Sequence, residues 1–409
     1  MASVADFEWA VGIEDTFVGQ PSGSRGRILD EYDLIDHYRR WRSDLDLIAS
    51  LGVRSMRYGV PWYRVNPTPG AFDWSWTDPV FEHLAGLGIR PIVDLVHYGT
   101  PVWLRRSFVD PDYPARVAEY AAAMVERYGT VAGGWTPLNE PVVNADFSGL
   151  RGVWPPHLRG PRGYDRVLVA IAEGISRTIA AIRAVQADAR IVAVEPCDIL
   201  TTEEPALDAL VRDRWESLFL PLDLVLGRVD ARHPQYVRLI ASGIDEARLA
   251  ALVGEPQPVD VVGVNFYPNM SRAELVTGRG GVRRRARYAS GDDLATALTR
   301  FHRHTGLPVM ITETSDNAGV ERRERWMDDS IAAVGGAIAS GVPVVGYTWF
   351  PVLSHVDWRW RRGPYERDAY WCHMGLWDLD DRLNRTRTSL ADRYAALVAA
   401  GAPRVDAAA

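Results

Sequence analysis

The sequence predicts an α/β fold in which residues 1–409 form a single (β/α)₈ barrel of the TIM type. Short apolar runs, each bounded by turn-forming residues, occur eight times along the chain. Longer stretches between them carry apolar residues at i, i+3, i+4 and i+7, which is typical of amphipathic helices. The runs lack a polar face, as expected of parallel strands that helices cover on the outside. Strands and helices that alternate in this way are typical of a closed parallel barrel.

The elements follow one another in the order that such a barrel requires. Strands are predicted at 7–12, 53–58, 90–96, 134–139, 190–195, 260–266, 309–313 and 344–350. Helical periodicity is clear at 33–51, 114–128, 166–185 and 328–339. The Gly- and Arg-rich segment 275–290 is predicted to be a long exposed loop, and 403–409 a disordered tail.

A doubly wound parallel sheet is the alternative fold. It would be supported by a Gly-rich phosphate loop directly after an early strand. The segment Gly12-Ile13-Glu14-Asp15, at the end of the first predicted strand, lacks the spacing of the dinucleotide-binding fingerprint. The barrel is therefore favoured.

The composition excludes several classes of function. A net charge of −7 argues against a surface that binds nucleic acid or an anionic membrane. No segment approaches the roughly 18 uninterrupted apolar residues of a membrane span. All 46 basic residues are Arg, so Schiff-base and pyridoxal-phosphate chemistry at a Lys is excluded.

A cytoplasmic location is expected. The first residues show neither the basic nor the apolar region of a secretory signal. The two cysteines, Cys197 and Cys372, are far apart in sequence, so a disulfide framework is implausible and reduced thiols are expected. The sequence leaves the oligomeric state open.

Two glutamates stand where predicted strands become loops. Glu140 lies in the run 136–141, Thr-Pro-Leu-Asn-Glu-Pro, and Glu313 lies in the run 309–314, Val-Met-Ile-Thr-Glu-Thr. Because the carboxyl ends of all barrel strands meet on one face, the two side chains are expected to converge there. A glycosidase with two catalytic carboxyl groups requires this arrangement.

Hydrolysis of an acetal requires the two glutamates to differ in charge. One must protonate the leaving oxygen and the other must attack or stabilise the anomeric carbon, so their pKa values must differ. Arg57 and the Tyr267 hydroxyl are the candidates to keep Glu313 ionised. Glu140, beside the neutral Asn139 and near the charge of Glu313, is expected to hold its proton more easily.

These motifs resemble those of glycoside hydrolase family 1, the retaining β-glycosidases with a (β/α)₈ barrel. Thr-Pro-Leu-Asn-Glu-Pro at 136–141 is similar to the family's Thr-Phe-Asn-Glu-Pro acid/base motif, and Ile-Thr-Glu-Thr at 311–314 is similar to its Ile-Thr-Glu-Asn nucleophile motif. The resemblance runs over nearly the whole chain. It implies that Glu313 is the nucleophile and Glu140 the acid/base.

Flanking segments resemble the same family. The segment 54–62, Arg-Ser-Met-Arg-Tyr-Gly-Val-Pro-Trp, is similar to its Arg-Phe-Ser-Ile-Ser-Trp strand, and 263–267, Gly-Val-Asn-Phe-Tyr, resembles Gly-x-Asn-Tyr-Tyr. The resemblance implies support of the glutamate pair by Arg57, Asn139, Asn265 and Tyr267, with Asn139 holding the sugar 2-hydroxyl. It also implies sugar contacts for His97, in Leu-Val-His-Tyr at 95–98, and for Trp349, which ends the eighth strand.

The resemblance fails at the residues expected to recognise the sugar. Phe17 stands where the family has a sugar-binding Gln, and Glu14 or Asp15 is the candidate to take its place. The family's Trp-Asp after the third strand is replaced by Tyr98-Gly99. Its Asn-Phe-Glu-Trp is replaced by His-Val-Asp-Trp at 355–358, which leaves Asp357 and Trp358 as candidate sugar contacts.

The sequence thus predicts a retaining β-glycosidase that acts on a small-molecule glycoside and needs neither metal nor cofactor. The retaining mechanism places the two carboxyl groups about 5 to 5.5 Å apart. Two alternatives are transfer of the glycosyl unit to a specific small-molecule acceptor and a sugar-binding barrel that has lost turnover. The identity of the sugar stays open.

Overall fold

Eight parallel strands form the centre of the molecule in the computed structural model, which describes residues 7–19 and 26–403. The strands are β1 Glu8–Ile13, β2 Ser55–Gly59, β3 Arg90–Asp94, β4 Gly134–Thr136, β5 Val192–Pro196, β6 Val261–Asn265, β7 Val309–Thr314 and β8 Val344–Trp349. They pair in the order β4-β3-β2-β1-β8-β7-β6-β5. Bridges from Trp135 to Ile191 and from Asn139 to Val194 bring β4 beside β5, so the barrel is nearly closed and the predicted fold class is confirmed.

A helix covers the outside of the barrel after each strand. The main helices are α1 His37–Ala49, α2 Thr77–Leu87, α3 Tyr113–Tyr128, α4 Gly160–Val185, α5 Asp208–Val225, α6 Gly291–Thr305, α7 Val320–Ala339 and α8 Ser389–Ala400. Shorter helices at Glu31–Leu34, Trp62–Val65, Pro141–Ala145, Tyr236–Ala241 and Glu246–Gly254 lie in the connections. None of the helices within the described ranges is long and apolar enough to cross a membrane.

Side chains that alternate between the two faces of each strand form two separate apolar cores. Inward residues, among them Ala10, Ile92, Val192 and Met310, fill the barrel, whereas their strand neighbours pack against the helices. Towards the carboxyl ends of the strands the inward positions become polar, as at Arg57. The fold therefore gathers buried polar groups at one end of an apolar barrel.

The segment 275–290 was predicted wrongly as a loop. Arg272–Gly278 and Gly281–Ala286 form an antiparallel hairpin, and the first strand also pairs with Ile199–Thr201. Apolar residues alternate with polar ones in the first strand, and Ala273 and Leu275 are buried against Leu200. The hairpin satisfies part of its backbone hydrogen bonding by pairing with Ile199–Thr201. That segment follows β5 and lies far from the hairpin in sequence.

Element bounds differ from the predictions mainly at the ends. β3 ends at Asp94 and β4 at Thr136, so His97 and Glu140 lie in the following loops. The helix predicted at 33–51 is divided between Glu31–Leu34 and His37–Ala49, and α4 and α7 begin earlier than expected. The predicted tail falls outside the described residues except for Pro403.

Candidate active site

Glu313 is turned into the barrel by a β-bulge. Ile311 pairs with Val264, but Glu313 and not Thr312 pairs with Asn265. The extra residue interrupts the alternation of side chains between the inside and the outside of the barrel. The side chains of both Thr312 and Glu313 therefore point into the barrel, at its polar end. Thr312 donates from Oγ1 to Asn265 Oδ1 at 2.7 Å, which holds the bulge against β6.

Two donors hold the Glu313 carboxylate. Arg57 Nη1 donates to Oε1 at 2.9 Å, and the Tyr267 hydroxyl donates to Oε2 at 2.6 Å. The glutamate is 3% exposed and Arg57 is fully buried. The two hydrogen bonds fix the direction in which the carboxylate points.

Glu140 lies after β4, directly before the short helix Pro141–Ala145. Its φ of 49° is in the left-handed region, and its N–H donates to the Val194 carbonyl at 3.1 Å. Asn144 Nδ2 donates to the carbonyls of Asn139 and Glu140, at 2.8 and 3.1 Å. These contacts fix the backbone from which the carboxyl reaches into the site.

The Glu140 carboxyl differs from Glu313 in its neighbours. Asn265 Nδ2 donates to Oε1 at 3.0 Å and the Tyr98 hydroxyl donates to Oε2, but no cation contacts it within the described residues. Burial and the charge of Glu313 raise the pKa of Glu140 to about 7. At neutral pH this carboxyl therefore exists in both protonation states, as an acid/base group requires.

Asn139 connects the two carboxyl groups. Its Oδ1 accepts from Arg57 Nη2 at 3.1 Å and from Asn265 Nδ2 at 3.2 Å. Its Nδ2 is buried and has no hydrogen-bond partner among residues 7–19 and 26–403. A buried donor without a partner costs free energy, so this group is free to bind a ligand atom.

A second polar cluster adjoins Arg57. Arg57 Nη2 lies 3.0 Å from Glu14 Oε2 and 3.2 Å from Asp94 Oδ2. His97 Nδ1 lies 2.8 Å from the same Asp94 oxygen and 3.0 Å from the same Glu14 oxygen. The four side chains are buried and form one network of two basic and two acidic groups.

This cluster perturbs the titration of its members. Although burial opposes the imidazolium, hydrogen bonds to Asp94 and Glu14 raise the pKa of His97 to about 10. Burial also raises the pKa of Glu14 to about 8, against the opposing charge of Arg57. His97 is therefore a charged hydrogen-bond donor at neutral pH, whereas the carboxyl group of Glu14 loses its proton just above neutral pH.

Glu14, His97 and Glu313 lie close enough to share a metal ion. The guanidinium of Arg57 already contacts both carboxylates, at 3.0 and 2.9 Å. His97 Nδ1 is engaged by Asp94 as well. An added dication would face these two cationic groups, so the donor set does not fit a metal.

The predicted aromatic and acidic sugar contacts lie in different surroundings. Trp349 is fully buried, and its Nε1 donates to the Met374 carbonyl at 3.1 Å. Trp358 packs beside Tyr98, with ring centroids 5.0 Å apart. The Asp357 carboxylate forms an ion pair with Arg359 at 2.7 Å. This ion pair does not connect Asp357 to Glu140 or Glu313.

The comparison with known families decides where this barrel belongs. The family model described as glycosyl hydrolase family 1 matches residues 10–274, about two thirds of the chain. The chain belongs to glycosyl hydrolase family 1. It is therefore a glycoside hydrolase that acts on O-glycosyl bonds, as predicted. The matched range contains Arg57 and Glu140 and ends before Glu313.

Curated relatives extend the similarity beyond that range. Thermostable beta-glucosidase B of Thermobispora bispora is 29% identical over 393 residues, which cover 85% of this chain and 78% of the relative. Beta-glucosidase A of Thermotoga maritima is 28% identical over 366 residues, which cover 79% of each chain. The structure of the Thermotoga maritima beta-glucosidase in complex with castanospermine superposes with a TM-score of 0.84 at 20% identity, covering 97% of this chain and 98% of that one.

Two contacts of this family 1 site were not predicted. Asp94, which bonds both Arg57 and His97, was missed, although a charged residue at the end of an apolar strand was a visible signal. Tyr98 was noted only as a departure from the family, and its hydrogen bond to Glu140 had no signal in the sequence. Side chains that follow a strand take their direction from tertiary contacts.

Proposed function

We propose that this protein is a retaining β-glycosidase in which Glu313 is the nucleophile and Glu140 the acid/base. The observation that supports it is the difference between the two carboxyl groups. Glu313 accepts from a buried guanidinium and a tyrosine hydroxyl, whereas burial and the charge of Glu313 raise the pKa of Glu140. One group is thus prepared to attack while ionised, and the other to deliver a proton.

In the first displacement, Glu313 attacks the anomeric carbon of the sugar. The bond to the leaving oxygen breaks, and the Glu140 proton passes to that oxygen so that it leaves as an alcohol. Arg57 and Tyr267 orient the attacking carboxylate. The product of this step is an ester between the sugar and Glu313.

In the second displacement, Glu140 acts as a base. It removes a proton from water, the water oxygen bonds to the anomeric carbon, and the ester bond to Glu313 breaks. Both carboxyl groups return to their starting states. Because protein carboxyl groups and water carry every bond change, neither step requires a metal or a cofactor.

Recognition of the sugar is assigned to the groups around the glutamate pair. We propose that Asn139 Nδ2 binds the 2-hydroxyl and that His97 donates to another hydroxyl, since the first lacks a partner and the second is charged. Glu14, beside His97, is the proposed substitute for the family's Gln. Further sugar contacts are proposed for Trp349, Asp357 and Trp358. Asp357 can contact a sugar only after its ion pair with Arg359 breaks.

We further propose that residues 1–409 serve as one catalytic barrel and that the reaction takes place in the cytoplasm. Both cysteines are free, which is consistent with a reducing compartment. The substrate is a small-molecule glycoside. The identity of its sugar is the first quantity to measure, with a panel of nitrophenyl β-glycosides.

The decisive experiment traps the ester. Incubation with 2-deoxy-2-fluoro-β-glycosyl fluorides, followed by peptide mass spectrometry, is expected to place one sugar on Glu313. Glu313→Gln should neither form the adduct nor turn over aryl β-glycosides. Glu8→Gln, at the opposite end of the barrel, is the matched control and should behave as wild type. Full turnover by Glu313→Gln, or an adduct elsewhere, would refute the assignment.

The same assay separates the alternatives. Product analysis with and without small alcohols and sugars distinguishes hydrolysis from transfer, because transfer yields a new glycoside in place of the free sugar. A barrel that only binds sugar would give neither product nor adduct. The contacts of Glu313 with Arg57 and Tyr267 oppose that alternative, since binding alone does not require an activated carboxylate.

A further inference from the structure

Tyr98 lies directly against the proposed acid/base. Its hydroxyl donates a hydrogen bond to Glu140 Oε2, and Oε1 accepts from Asn265 Nδ2 at 3.0 Å. An amide nitrogen only donates, whereas a phenol hydroxyl both donates and accepts. Tyr98 can therefore stay bonded to Glu140 whether this carboxyl is protonated or ionised.

The ring of Tyr98 is held by other aromatic rings. Its centroid lies 4.6 Å from that of His97, 5.3 Å from that of Trp154 and 5.0 Å from that of Trp358. The residue is buried. This packing restricts movement of the hydroxyl away from Glu140.

The backbone also aims Tyr98. Its φ of 73° lies in the left-handed region, which an aromatic residue rarely adopts. The Phe17 N–H donates to the His97 carbonyl at 3.3 Å, and a Cβ on Gly99 would overlap the Phe17 carbonyl. Because residue 99 is a glycine, the backbone of Phe17, which follows β1, can lie directly against it. The hydrogen bond from Phe17 then holds the backbone conformation that points Tyr98 into the site.

We propose that Tyr98 is a positioning residue for the proton donor: its hydroxyl orients the Glu140 carboxyl and stabilises the carboxylate that remains after the proton is delivered. This inference deepens the proposed function and rests on it. When the Glu140 O–H bond breaks, the proton goes to the glycosidic oxygen and the electron pair stays on Glu140, to which Tyr98 donates. When water returns a proton to Glu140, Tyr98 stays hydrogen-bonded to the same carboxyl group.

Tyr98 is one of several groups that act on Glu140. The other titratable groups within its electrostatic reach are Glu313, His97, Glu195 and Tyr267. A change that removes only the Tyr98 hydroxyl leaves all of them in place. Its effect on the titration of Glu140 therefore isolates the hydrogen bond.

Tyr98→Phe keeps the ring and removes the hydroxyl. Because a hydrogen bond to a carboxylate is stronger than one to a neutral carboxyl, the Glu140 pKa should rise by about 0.5 to 1 unit. It is measured by 13C NMR titration of protein labelled at the Glu carboxyl carbons, with the Glu140 signal assigned by its loss in Glu140→Gln. Tyr347→Phe, which removes a buried hydroxyl bonded to Ser330, is the control and should not shift this signal.

A second variant guards against loss of folding. Replacement of Tyr98 by 3-fluorotyrosine keeps the ring and the hydroxyl but makes the hydroxyl a stronger donor. The Glu140 pKa should then fall, opposite to the change in Tyr98→Phe. A merely structural role for Tyr98 predicts no such pair of opposite shifts.

Kinetics supply a separate readout. In Tyr98→Phe, kcat/KM for phenyl glycosides should fall about tenfold or more, whereas 2,4-dinitrophenyl glycosides, whose leaving group needs no proton, should be little affected. An unchanged Glu140 titration in both Tyr98 variants overturns the proposal, whatever the protein hydrolyses. Failure to trap a sugar on Glu313 refutes the proposed function instead, and the NMR result then decides the role of Tyr98 by itself.

Discussion

Replacement of Arg57 by Met tests whether one guanidinium holds together the buried carboxyl groups of the barrel. Arg57 is fully buried and lies 2.9 Å from Glu313, 3.0 Å from Glu14 and 3.2 Å from Asp94. Met occupies a similar volume without charge. The change therefore leaves three carboxyl groups without their shared cation.

The cost follows from the burial of these groups. Removal of one partner of a buried ion pair destabilises a protein by roughly 3 to 5 kcal/mol. With an unfolding entropy of about 2.1 cal/mol/K per residue over 409 residues, the melting temperature should fall by about 4 to 6 °C. Loss of the donor to Glu313 should also lower kcat/KM by about 10² to 10³.

The pH dependence of this cost has a definite sign. Burial raises the pKa of Glu14 from 4.5 to about 8 although Arg57 lowers it, so the pKa rises further in Arg57→Met. A carboxyl with a raised folded-state pKa favours folding fully below its unfolded pKa and loses this contribution as pH rises through the folded value. Because Glu14 is protonated below about pH 8 in the wild type and up to a higher pH in Arg57→Met, the destabilisation should be smallest below about pH 8 and should grow as the pH rises above it.

The assay is thermal unfolding, followed by circular dichroism at pH 7 and pH 9.5. Arg323→Met is the control, because Arg323 is equally buried and pairs with Asp378 at 2.8 Å away from the glutamate pair. This control should lose stability without losing activity. An Arg57→Met protein with the same melting temperature loss at both pH values, or with full kcat/KM, would show the reasoning to be wrong.

Three further changes probe the site. Tyr267→Phe removes the 2.6 Å hydrogen bond to Glu313, and kcat/KM should drop by about 10². In the proposed mechanism the protonated form of Glu140 delivers the proton, so kcat/KM should decline above about pH 7; a flat alkaline profile would contradict this. Gly99→Ala introduces a Cβ that overlaps the crossing backbone and should destabilise the protein by about 2 kcal/mol or more, whereas Gly86→Ala, in open space within α2, should stabilise it slightly.

The barrel itself was predictable because its signal is repeated. Eight apolar runs and the amphipathic helices between them each carry the same information, so errors at single boundaries, such as the early end of β3 at Asp94, do not change the fold. The hairpin at Arg272–Gly278 and Gly281–Ala286 was not predictable in this way. It depends on pairing with Ile199–Thr201, which local sequence does not encode.

The candidate site also contains residues that were predictable from local sequence and contacts that depend on the tertiary structure. Glu140 and Glu313 stood out in the sequence because a charged residue at the end of an apolar strand must serve a purpose that outweighs its cost of burial. The structure added the bulge that turns Glu313 inward and the network that joins Glu14 to Arg57 and His97. Both arise between segments far apart in the chain.

By itself, then, the sequence determined the parallel barrel, the end of it that carries the polar groups, and the pair of glutamates at that end. Only the tertiary structure decided which neighbours each carboxyl has: Arg57 and Tyr267 on Glu313, Tyr98 on Glu140, and Arg359 on Asp357. The physical reason is that strand periodicity is a local property, read from a few consecutive residues. The direction of a side chain in a loop is set by whatever the rest of the fold packs against it.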